Sequence, residues 1–440
     1  MIYPGATPKL MLMTSRHPAP ATPDDSRRPV WWEIEAARER VISMIPPTGT
    51  EVADLVAAGG RILADDLRAR VPLPGFDNSA MDGYALGAGS LQSGTEWMVV
   101  AEQPAGPARQ SPGPGPGEAW RIFTGAPLPP GATAVVMQED TEPLATDRIR
   151  LTAGVEPGEF IRRAGTDLCP GQWLLRAGRQ LTARDLGLLA SQGLGEVTVR
   201  ARPRLAVLTT GDECRPVGAT LALGEIHESN GVMLAAMAQA AGAELLTGPQ
   251  ATWQHVGDAR DQLRAALRPL LDQADMVVVS GGVSVGDHDH VRPVLQELGC
   301  ESDVWRLRMK PGKPFVFASH PHHGARVFGL PGNPVSSAVT FHLLVAPAIR
   351  AALGQPAAPP EADAIVAEPM NHHGDRPHYL RVRVTEPPAT GGPPRLLTEG
   401  RQTSDSLSRL ARSDGLLRIE AGQTLTEGES VRWLPWPAGI

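Results

Sequence analysis

Lysine, cysteine and aromatic side chains are scarce in this chain of 440 residues. The three cysteines, Cys169, Cys214 and Cys300, are far apart and form no CxxC pair, so neither a disulfide framework nor a thiolate zinc site is expected. Aromatic residues make up only 4% of the sequence, whereas hydrophobic residues make up 42%. The chain can therefore bury several cores, and those cores should be mainly aliphatic.

Two further absences narrow the class of protein. No run of about 18 apolar residues occurs, and the N-terminus lacks the charged-then-apolar pattern of a signal peptide. The net charge of -7 argues against a general nucleic-acid binder. These observations predict a cytoplasmic protein that has neither a membrane nor a nucleic acid as its partner.

The few lysines are placed unusually. Lys9, Lys310 and Lys313 are the only ones, although lysine and arginine together number 41. One explanation is a genomic bias toward arginine; the other is that Lys310 and Lys313 require a compact ammonium group. Alternation along a strand would place Arg306, Arg308 and Lys310 on one face. That face is either a solvated basic edge or a holder for a tetrahedral oxyanion.

The pattern of apolar and turn-forming residues changes along the first 200 residues. Residues 1–30 are rich in Pro, Ser and Ala without periodicity, which predicts a flexible tail. Apolar spacing predicts helices over 31–45 and about 52–67, and a capping box at 182–185 predicts the start of a short helix. Between residues 71 and 165, short apolar runs broken by Gly and Pro predict β structure.

From about residue 202, predicted strands and helices alternate. The strands are predicted near 205–209, 244–246, 276–279, 315–317 and 326–328. The helices are predicted over 230–241, 258–271, 291–298 and 334–353. This alternation predicts a parallel, doubly wound sheet with helices on both faces. After a Pro-rich linker at 355–360, predicted strands near 379–384 and 430–433 favour a small barrel.

Three polar loops follow the carboxyl ends of predicted strands. They are TTGDE at 209–213, SGGVSVGDHD at 280–289 and GLPGNP at 329–334. Open α/β sheets bind ligands in the crevice outside these strand ends, so we expect the loops to line one crevice. Their glycines let backbone N–H groups approach a phosphate or a flat ring, although each loop alone could be an ordinary turn.

Acidic residues in two of these loops indicate a cation. Asp212, Glu213, Asp287 and Asp289 would repel a bound phosphate unless a hard cation lay between them. We therefore predict Mg²⁺ bridging a diphosphate; the alternative is helix capping or solvation, above all for Asp287. Neighbouring histidines on loops rarely chelate one ion well, so a histidine-ligated transition metal is not expected.

Two segments of the N-terminal half are dense in turn-forming and polar residues. They are PGFDNSAMDGY at 74–84, and FTGAP at 123–127 followed by AVVMQE at 134–139. On the residues alone, a structural role and a functional role are equally open for both segments.

Together these motifs resemble the MoeA family, which is related to the gephyrin E-domain. The matching segments are PGFDNSAMDGYA from Pro74, FTGAP from Phe123, AVVMQE from Ala134, TTGDE from Thr209, SGGVSVGD from Ser280, KPGKPF from Lys310 and GLPGNP from Gly329. The resemblance implies a multidomain α/β fold with a doubly wound, MogA-like molybdopterin-binding domain, a β-rich N-terminal region and a small C-terminal β-barrel. The implied division is a tail at 1–30, domain I at 31–70 plus 166–201, domain II at 71–165, domain III at 202–354 and domain IV at 361–440.

The resemblance also implies an activity. Family members take adenylylated molybdopterin and molybdate, cleave the phosphoanhydride with Mg²⁺, and release AMP and the molybdenum cofactor. The implied partners are a second copy of the chain, which completes the site with its N-terminal loops, and a MogA-like adenylyltransferase that delivers the pterin.

Site residues are carried over motif by motif. The implied catalytic positions are Asp82, Thr124, Asp167, Glu213, Asp258 and Asp289, and the last three would hold Mg²⁺. The implied substrate-binding positions are Gly211, Asp212, Ser280, Gly281, Gly282, Ser284, Gly286, Lys310, Lys313, Pro331, Gly332, Asn333, Pro334, Arg381 and Ser404. Among these, the positions that resemble the molybdate-binding set are Lys310, Lys313, Arg381 and Ser404.

Two rival functions share parts of this pattern. A MogA-like adenylyltransferase has the same α/β domain and consumes ATP, but it needs neither the N-terminal β region nor the C-terminal barrel. A non-catalytic scaffold is the second rival, because the gephyrin branch clusters receptors through this domain. The intact acidic and lysine positions argue against that loss of catalysis.

Overall fold

The computed structural model describes residues 31–246, 253–283, 290–322, 324–385 and 392–437. The predicted tail at 1–30 lies outside the described residues. Contacts divide the chain into two units. The N-terminal unit comprises Thr48–Ala201 with Leu353–Gln355, and the main unit comprises Met1–Pro47, Arg202–Ala352 and Pro356–Ile440. The finer four-domain boundaries stay a prediction.

The N-terminal unit is β-rich, as its short apolar runs predict. Its six-stranded sheet has the spatial order Ala134–Met137, Gly83–Leu86, Glu118–Ile122, Glu96–Gln103, Arg148–Leu151 and Thr141–Ala145. Trp97 and aliphatic side chains such as Leu86 and Leu151 are buried against this sheet. A 3₁₀ turn covers Gln138–Asp140. The remaining strand pairs of this unit are Asn78–Ser79 with Ile161–Arg162, Leu67–Arg68 with Trp173–Leu175, and Thr50–Asp54 with Glu196–Arg200.

The predicted helix over about 52–67 is wrong. Thr50–Asp54 is a strand that pairs antiparallel with Glu196–Arg200, so that Val52 lies opposite Thr198. The carboxylate of Asp54 then accepts the N–H of Val56 at 2.9 Å, which starts a turn in place of a helix. Apolar spacing in this segment was therefore overridden by pairing with a strand that lies more than 140 residues later in the sequence.

The predicted capping box is confirmed. Helix Ala183–Ser191 begins after Thr182, whose hydroxyl accepts the N–H of Asp185, while the Asp185 carboxylate accepts the N–H of Thr182. Arg179 also pairs with this carboxylate at 2.9 Å. Burial alone would raise the pKa of Asp185, but the bonds from Arg179 and Thr182 outweigh it and lower the pKa. This helix start is therefore built from groups that the local sequence supplies.

An eight-stranded sheet forms the centre of the main unit. Its spatial order is Trp31–Trp32, Glu301–Leu307, Pro314–Ser319, Arg326–Leu330, Met276–Ser280, Arg204–Thr210 and Glu244–Leu245, and Gln254–Val256 also pairs with Arg204–Thr210. The sheet is mixed rather than fully parallel, because Pro314–Ser319 runs antiparallel to both of its neighbours. The short connections on either side of this strand have no room for the crossover helix that parallel pairing needs.

At the edge of this sheet, the predicted start of the first helix is also wrong. Trp31 and Trp32, predicted as the start of a helix, form a short strand parallel to Glu301–Leu307. The ring of Trp32 stacks on that of Trp305 with centroids 4.9 Å apart. The predicted helix itself begins at Ile34 and ends at Ser43. The parallel pairing of both residues, together with the stacking of the Trp32 ring on Trp305, explains why the extended conformation prevails here, although Trp31 itself stays exposed.

Helices surround the central sheet, as a doubly wound fold requires. In the main unit they are Ile34–Ser43, Asn230–Ala240, Arg260–Gln273, Val291–Glu297, the continuous run Pro334–Thr340, Phe341–Val345 (a π turn) and Ala346–Ala352, and Leu407–Arg412. Arg260–Gln273 and Val291–Glu297 bury Leu267 and Val294 against one face of the sheet. The run Pro334–Ala352 is long and apolar enough to cross a membrane, but 89% of its apolar window is buried inside the protein, as in a core helix.

The C-terminal part of the main unit is the predicted barrel. Its closed five-stranded order is Ala362–Val366, Arg395–Thr398, His378–Val384, Gly415–Ile419 and Ser430–Pro435. Aliphatic side chains such as Val366 and Val382 fill its interior together with Trp433. Two small pairs complete the main unit: Cys214–Arg215 with Ile226–His227, and Met370–Asn371 with Thr424–Leu425.

Candidate active site

A crevice of about 1030 Å³ lies at the carboxyl edge of the central sheet. The three polar loops meet there, because the crevice is lined by Thr209–Gly211, Ser280–Gly282 and Pro331–Pro334. Parallel pairing explains the convergence: Thr209 is in register with Ser280, and Ser280 with Leu330. The strand ends therefore bring together segments that are more than 100 residues apart in the sequence.

Two glycines allow the backbone to approach this crevice closely. Gly281 has a φ of +101°, and a Cβ built on it would lie 2.7 Å from the carbonyl oxygen of Thr210. Gly312, between the two lysines, has a φ of +102°, and its Cβ would lie 2.5 Å from Thr340 Oγ1. A side chain at either position would therefore be both strained and blocked.

Buried hydrogen bonds hold two of the loops against each other. Ser280 Oγ lies 3.0 Å from Ser337 Oγ and donates to the carbonyl of Pro331 at 3.2 Å. The side-chain amide of Asn230 donates to Ser280 Oγ at 3.0 Å and to the carbonyl of Gly332 at 2.7 Å. This network fixes the shape of the crevice wall before any ligand arrives.

Two of the predicted acidic residues line the crevice. Glu213 and Asp258 face it, whereas Asp212 is not part of its lining. Asp212 and Asp258 link the 209–213 loop to the segment that precedes helix Arg260–Gln273. The N–H of Asp258 donates to Asp212 Oδ1 at 3.0 Å, and the N–H of Asp212 donates to Asp258 Oδ2 at 3.3 Å. Asp212 therefore links loops only, whereas Asp258 links loops through Oδ2 and also lines the crevice with Glu213.

Some of the predicted residues lie outside the described residues. They are Ser284, Gly286, Asp287 and Asp289. Within the described ranges, no group of three or more His, Cys, Asp or Glu side chains is arranged to hold a metal ion. Of the three predicted metal ligands, Glu213 and Asp258 are described, and both line the crevice.

The basic side of the crevice is formed by Lys310, Lys313 and Arg376. Lys310 and Lys313 both line it, and neither ammonium forms an ion pair with a carboxylate among the residues that the structure describes. Arg308, on the predicted basic face with Lys310, pairs with Glu33 at 3.2 Å and does not line the crevice. Lys310 is anchored through its backbone, which donates to Pro377 and accepts from Tyr379. The ammonium groups therefore stay available to an anion.

The two predicted molybdate-site residues from the barrel are placed differently. Ser404 lines the crevice, and its hydroxyl accepts the side-chain amide of Asn333 at 3.0 Å. Arg381 is 2% exposed and is not among the lining residues. Its guanidinium donates to the carbonyls of Thr403 at 2.8 Å and Arg401 at 2.7 Å, and burial lowers its pKa. Arg381 thus supports the loop that presents Ser404.

The other predicted catalytic residues belong to the N-terminal unit. Asp82 accepts the N–H and the hydroxyl of Thr124 at 2.7 and 2.8 Å, and these bonds hold the pKa of Asp82 below its ordinary value. Asp167 is exposed, and its N–H donates to the carbonyl of Leu73. None of these three residues lines the crevice of the main unit.

Sequence reasoning missed several residues of the crevice wall, among them Glu228 and Cys214. Glu228 is 4% exposed, and Oε1 of its carboxylate accepts the N–H of Gly231 at 2.8 Å. Its position just before helix Asn230–Ala240 was the only available signal. Cys214 also lines the crevice, but burial together with the charge of Glu213 raises its pKa to about 11. Cys214 is therefore a neutral thiol near pH 7 and unsuited to nucleophilic attack.

Three family matches follow one another along the chain. Residues 32–193 match the MoeA N-terminal region (domain I and II). Residues 206–351 match the probable molybdopterin binding domain, and residues 363–436 match the MoeA C-terminal region (domain IV). Together with the crevice, these matches define a multidomain protein of the molybdopterin-binding class.

Known relatives make the assignment more specific. A molybdopterin molybdenumtransferase from Haemophilus influenzae is 38% identical over 323 residues, which cover 73% of this chain and 78% of the relative. Molybdopterin molybdenumtransferase 2 from Mycobacterium tuberculosis is 35% identical over 376 residues, which cover 83% of this chain and 89% of the relative. The crystal structure of a MoeA protein from Pyrococcus horikoshii OT3 superposes with a TM-score of 0.75 at 25% identity, covering 92% of this chain and 100% of that one. The chain belongs to the MoeA family of molybdopterin molybdenumtransferases.

Proposed function

We propose that this protein is a molybdopterin molybdenumtransferase that takes adenylylated molybdopterin and molybdate and releases AMP and the molybdenum cofactor. The observation that carries the proposal is one crevice in which carboxylates, two lysines and glycine-rich loops face one another. A diphosphate and a tetrahedral oxyanion are the ligands that such a set of groups can hold side by side. The relatives named above carry this transferase name, which supports the same reading.

The lysine side of the crevice would bind molybdate. Lys310 and Lys313 provide compact positive charges, and Ser404 adds a hydroxyl donor beside them. Arg381 would act through the loop, since its guanidinium is bound to the carbonyls of Arg401 and Thr403. We therefore assign Arg381 the role of positioning the loop of the molybdate site. Lys310, Lys313 and Ser404 would contact molybdate directly.

The loop side would hold the phosphates and the pterin. Four glycines of the crevice allow the backbone to approach a ligand closely: Gly211, Gly281, Gly282 and Gly332. Pro331 and Pro334 restrict the backbone of the third loop, GLPGNP. Held against these walls, the adenylylated phosphorus would face an oxygen of molybdate in line. A bond from that oxygen to the molybdopterin phosphorus would form as the phosphoanhydride P–O bond breaks, so that AMP leaves and the molybdate is held on the phosphate. The two dithiolene thiols would then take the molybdenum from this phosphate, and their protons would leave with one oxo group as water.

The residues present fit a bound Mg²⁺ ion. Glu213 and Asp258 line the crevice, and Mg²⁺ commonly binds one or two carboxylates together with substrate phosphates. Asp289 would add a third carboxylate. When bound, the ion would neutralise the charge of the diphosphate.

The remaining assignments concern assembly and location. We propose a homodimer in which Asp82, Thr124 and Asp167 of one copy complete the crevice of the other, as the family resemblance implies. A MogA-like adenylyltransferase would deliver the pterin, and the enzyme would act in the cytoplasm.

The test is release of AMP from purified protein loaded with adenylylated molybdopterin, with and without molybdate and Mg²⁺. We expect release only when both are present. Tight pterin binding without any release would contradict the transferase and favour a scaffold. Consumption of ATP with free molybdopterin would instead favour the adenylyltransferase.

A further inference from the structure

A second cavity of about 570 Å³ lies beside the crevice within the main unit. Helices Asn230–Ala240 and Leu407–Arg412 provide half of its lining residues. Its apolar lining consists of Val217, Val232, Met233, Ala236, Met237, Ala338, Leu407, Leu410, Ala411 and Trp436. Unlike the crevice, this pocket is walled almost entirely by apolar side chains, so it would not suit a phosphate or an oxyanion.

The composition of these walls suits a flat ring. Ala236, Ala338 and Ala411 leave space, and Met233 and Met237 offer soft thioethers that contact aromatic rings favourably. The indole N–H of Trp436 donates to Ser413 Oγ at 3.0 Å, and its ring meets that of His342 at an angle of 74°, so the indole is fixed in the pocket wall. Planar heterocycles bind well between such surfaces.

The pocket adjoins the crevice. Four residues line both cavities: His227, Glu228, Ser229 and Leu407. A ligand with a charged centre and a flat end can therefore place its charge in the crevice and its ring in the pocket. Adenylylated molybdopterin has this form, since a diphosphate separates its pterin from its adenine.

The shared wall contains an acceptor without a partner. Oε2 of Glu228 is buried and accepts no hydrogen bond from any described residue, while Oε1 is bound to Gly231. A buried carboxylate oxygen without a donor is costly, so a ligand N–H beside it would be favoured. The terminal carboxyl torsion of glutamate is soft, so a small rotation presents Oε2 to a ligand at the junction. Pterin and adenine both carry an exocyclic amino group that can donate there.

We propose that this pocket binds a flat, amino-bearing nitrogen heterocycle of the substrate, with Glu228 accepting its amino N–H. The inference rests on the proposed function and adds a subsite to it. The shared chemistry covers two rings, the pterin and the adenine, and binding measurements with each separate them.

The test fills the pocket from its solvent side. Ala236 lines the pocket and is exposed, so A236F places a phenyl ring in the cavity without disturbing the core. Ala240 is exposed on the same helix but does not line the pocket, so A240F is the matched control. Calorimetric titrations of wild type and both variants would use free molybdopterin in one series and AMP in the other.

We expect A236F to weaken one of the two ligands by about tenfold or more, while A240F binds both as wild type does. The ligand that weakens identifies the ring in the pocket. E228Q, which keeps the size of the side chain but adds a donor, should weaken the same ligand. Unchanged binding of both ligands in A236F would overturn the inference. Failure of the wild type to bind either one would overturn the proposed function itself and the inference with it.

Discussion

Acidic residues occur in both units of the chain, but their oxygens are used differently. In the main unit, the Glu213 carboxylate lines the crevice and makes no hydrogen bond or ion pair with any described residue. In the N-terminal unit, Asp77 accepts from the N–H of Ala164 and from Arg163, and Asp82 accepts twice from Thr124. These bonds lower the pKa of Asp77 and of Asp82.

This difference distinguishes a carboxylate that can bind a ligand from one that stabilises a loop. An oxygen that already accepts from its own chain keeps a turn in place, whereas an oxygen without such a donor can accept a metal or a ligand. The same contrast holds for cations, because Arg308 is paired with Glu33 and Lys310 lies open in the crevice. We therefore expect mutations of free groups to affect turnover. Mutation of a carboxylate whose two oxygens are both engaged, such as Asp77, should affect local structure, whereas Asp82 keeps Oδ2 without a donor among the described residues and can still contact a ligand.

The largest effect is expected at Lys310. Lys310→Ala removes a compact charge from the crevice and should lower molybdate-dependent AMP release at low molybdate by about 100-fold. Arg308→Ala, which removes a neighbouring charge that is already paired, should retain most of the activity. AMP release measured across a molybdate series checks both variants, and near wild-type turnover of Lys310→Ala at low molybdate would refute the assignment.

Mixing two inactive variants tests whether the two units act across subunits. Asp82→Asn and Glu213→Gln should each lose activity alone. In a mixed population, half of the dimers would be hybrids with one intact shared site, so about a quarter of wild-type activity should return. The mixture is assayed for AMP release after subunit exchange. No recovery despite proven hybrid formation would place both residues in a site within one chain.

A smaller effect separates Arg381 from Ser404. Arg381→Met leaves the carbonyls of Arg401 and Thr403 without their donors and should destabilise the protein by about 2 kcal/mol. It should also raise the KM for molybdate, because the loop that presents Ser404 is released. Ser404→Ala should raise this KM about tenfold with an unchanged Tm, since it removes a single hydrogen bond. A changed KM with an unchanged Tm in Arg381→Met would instead indicate direct contact with molybdate.

The smallest effect is expected at the helix cap of the N-terminal unit. Asp185→Asn should lower stability by about 1 kcal/mol, because it weakens the capping box and the pair with Arg179. The pKa of Asp185 is lowered from 3.8 on folding, so its contribution is complete above that value and is lost as pH falls through the folded pKa. Thermal unfolding of variant and wild type should therefore converge once the pH lies well below the lowered pKa of the folded state. An equal difference at all pH values would exclude the carboxylate as the cause.

Much of the site could be predicted because its groups lie at strand ends. The runs before Thr209, Ser280 and Leu330 are apolar and continuous, so their carboxyl ends could be located from pattern alone. The prediction failed for segments whose conformation depends on distant partners. Residues 52–67 have helical spacing, but their first part pairs with Glu196–Arg200. Strand Pro314–Ser319 is antiparallel because the connections on either side of it are too short for a crossover helix. The apolar pattern of a strand does not show its direction, so this was not predicted.

Local chemistry was enough for the helix cap at Thr182 and for the convergence of three loops, because each depends on neighbouring residues or on the common rule for strand ends. Only the tertiary structure determines which polar atoms have a hydrogen-bond partner. Arg381 is buried beneath its loop, Asp212 is bound to the backbone of Asp258, and Glu228 keeps one oxygen without a donor. The physical reason is that a hydrogen bond requires two groups within about 3 Å, and their separation along the sequence sets no such distance.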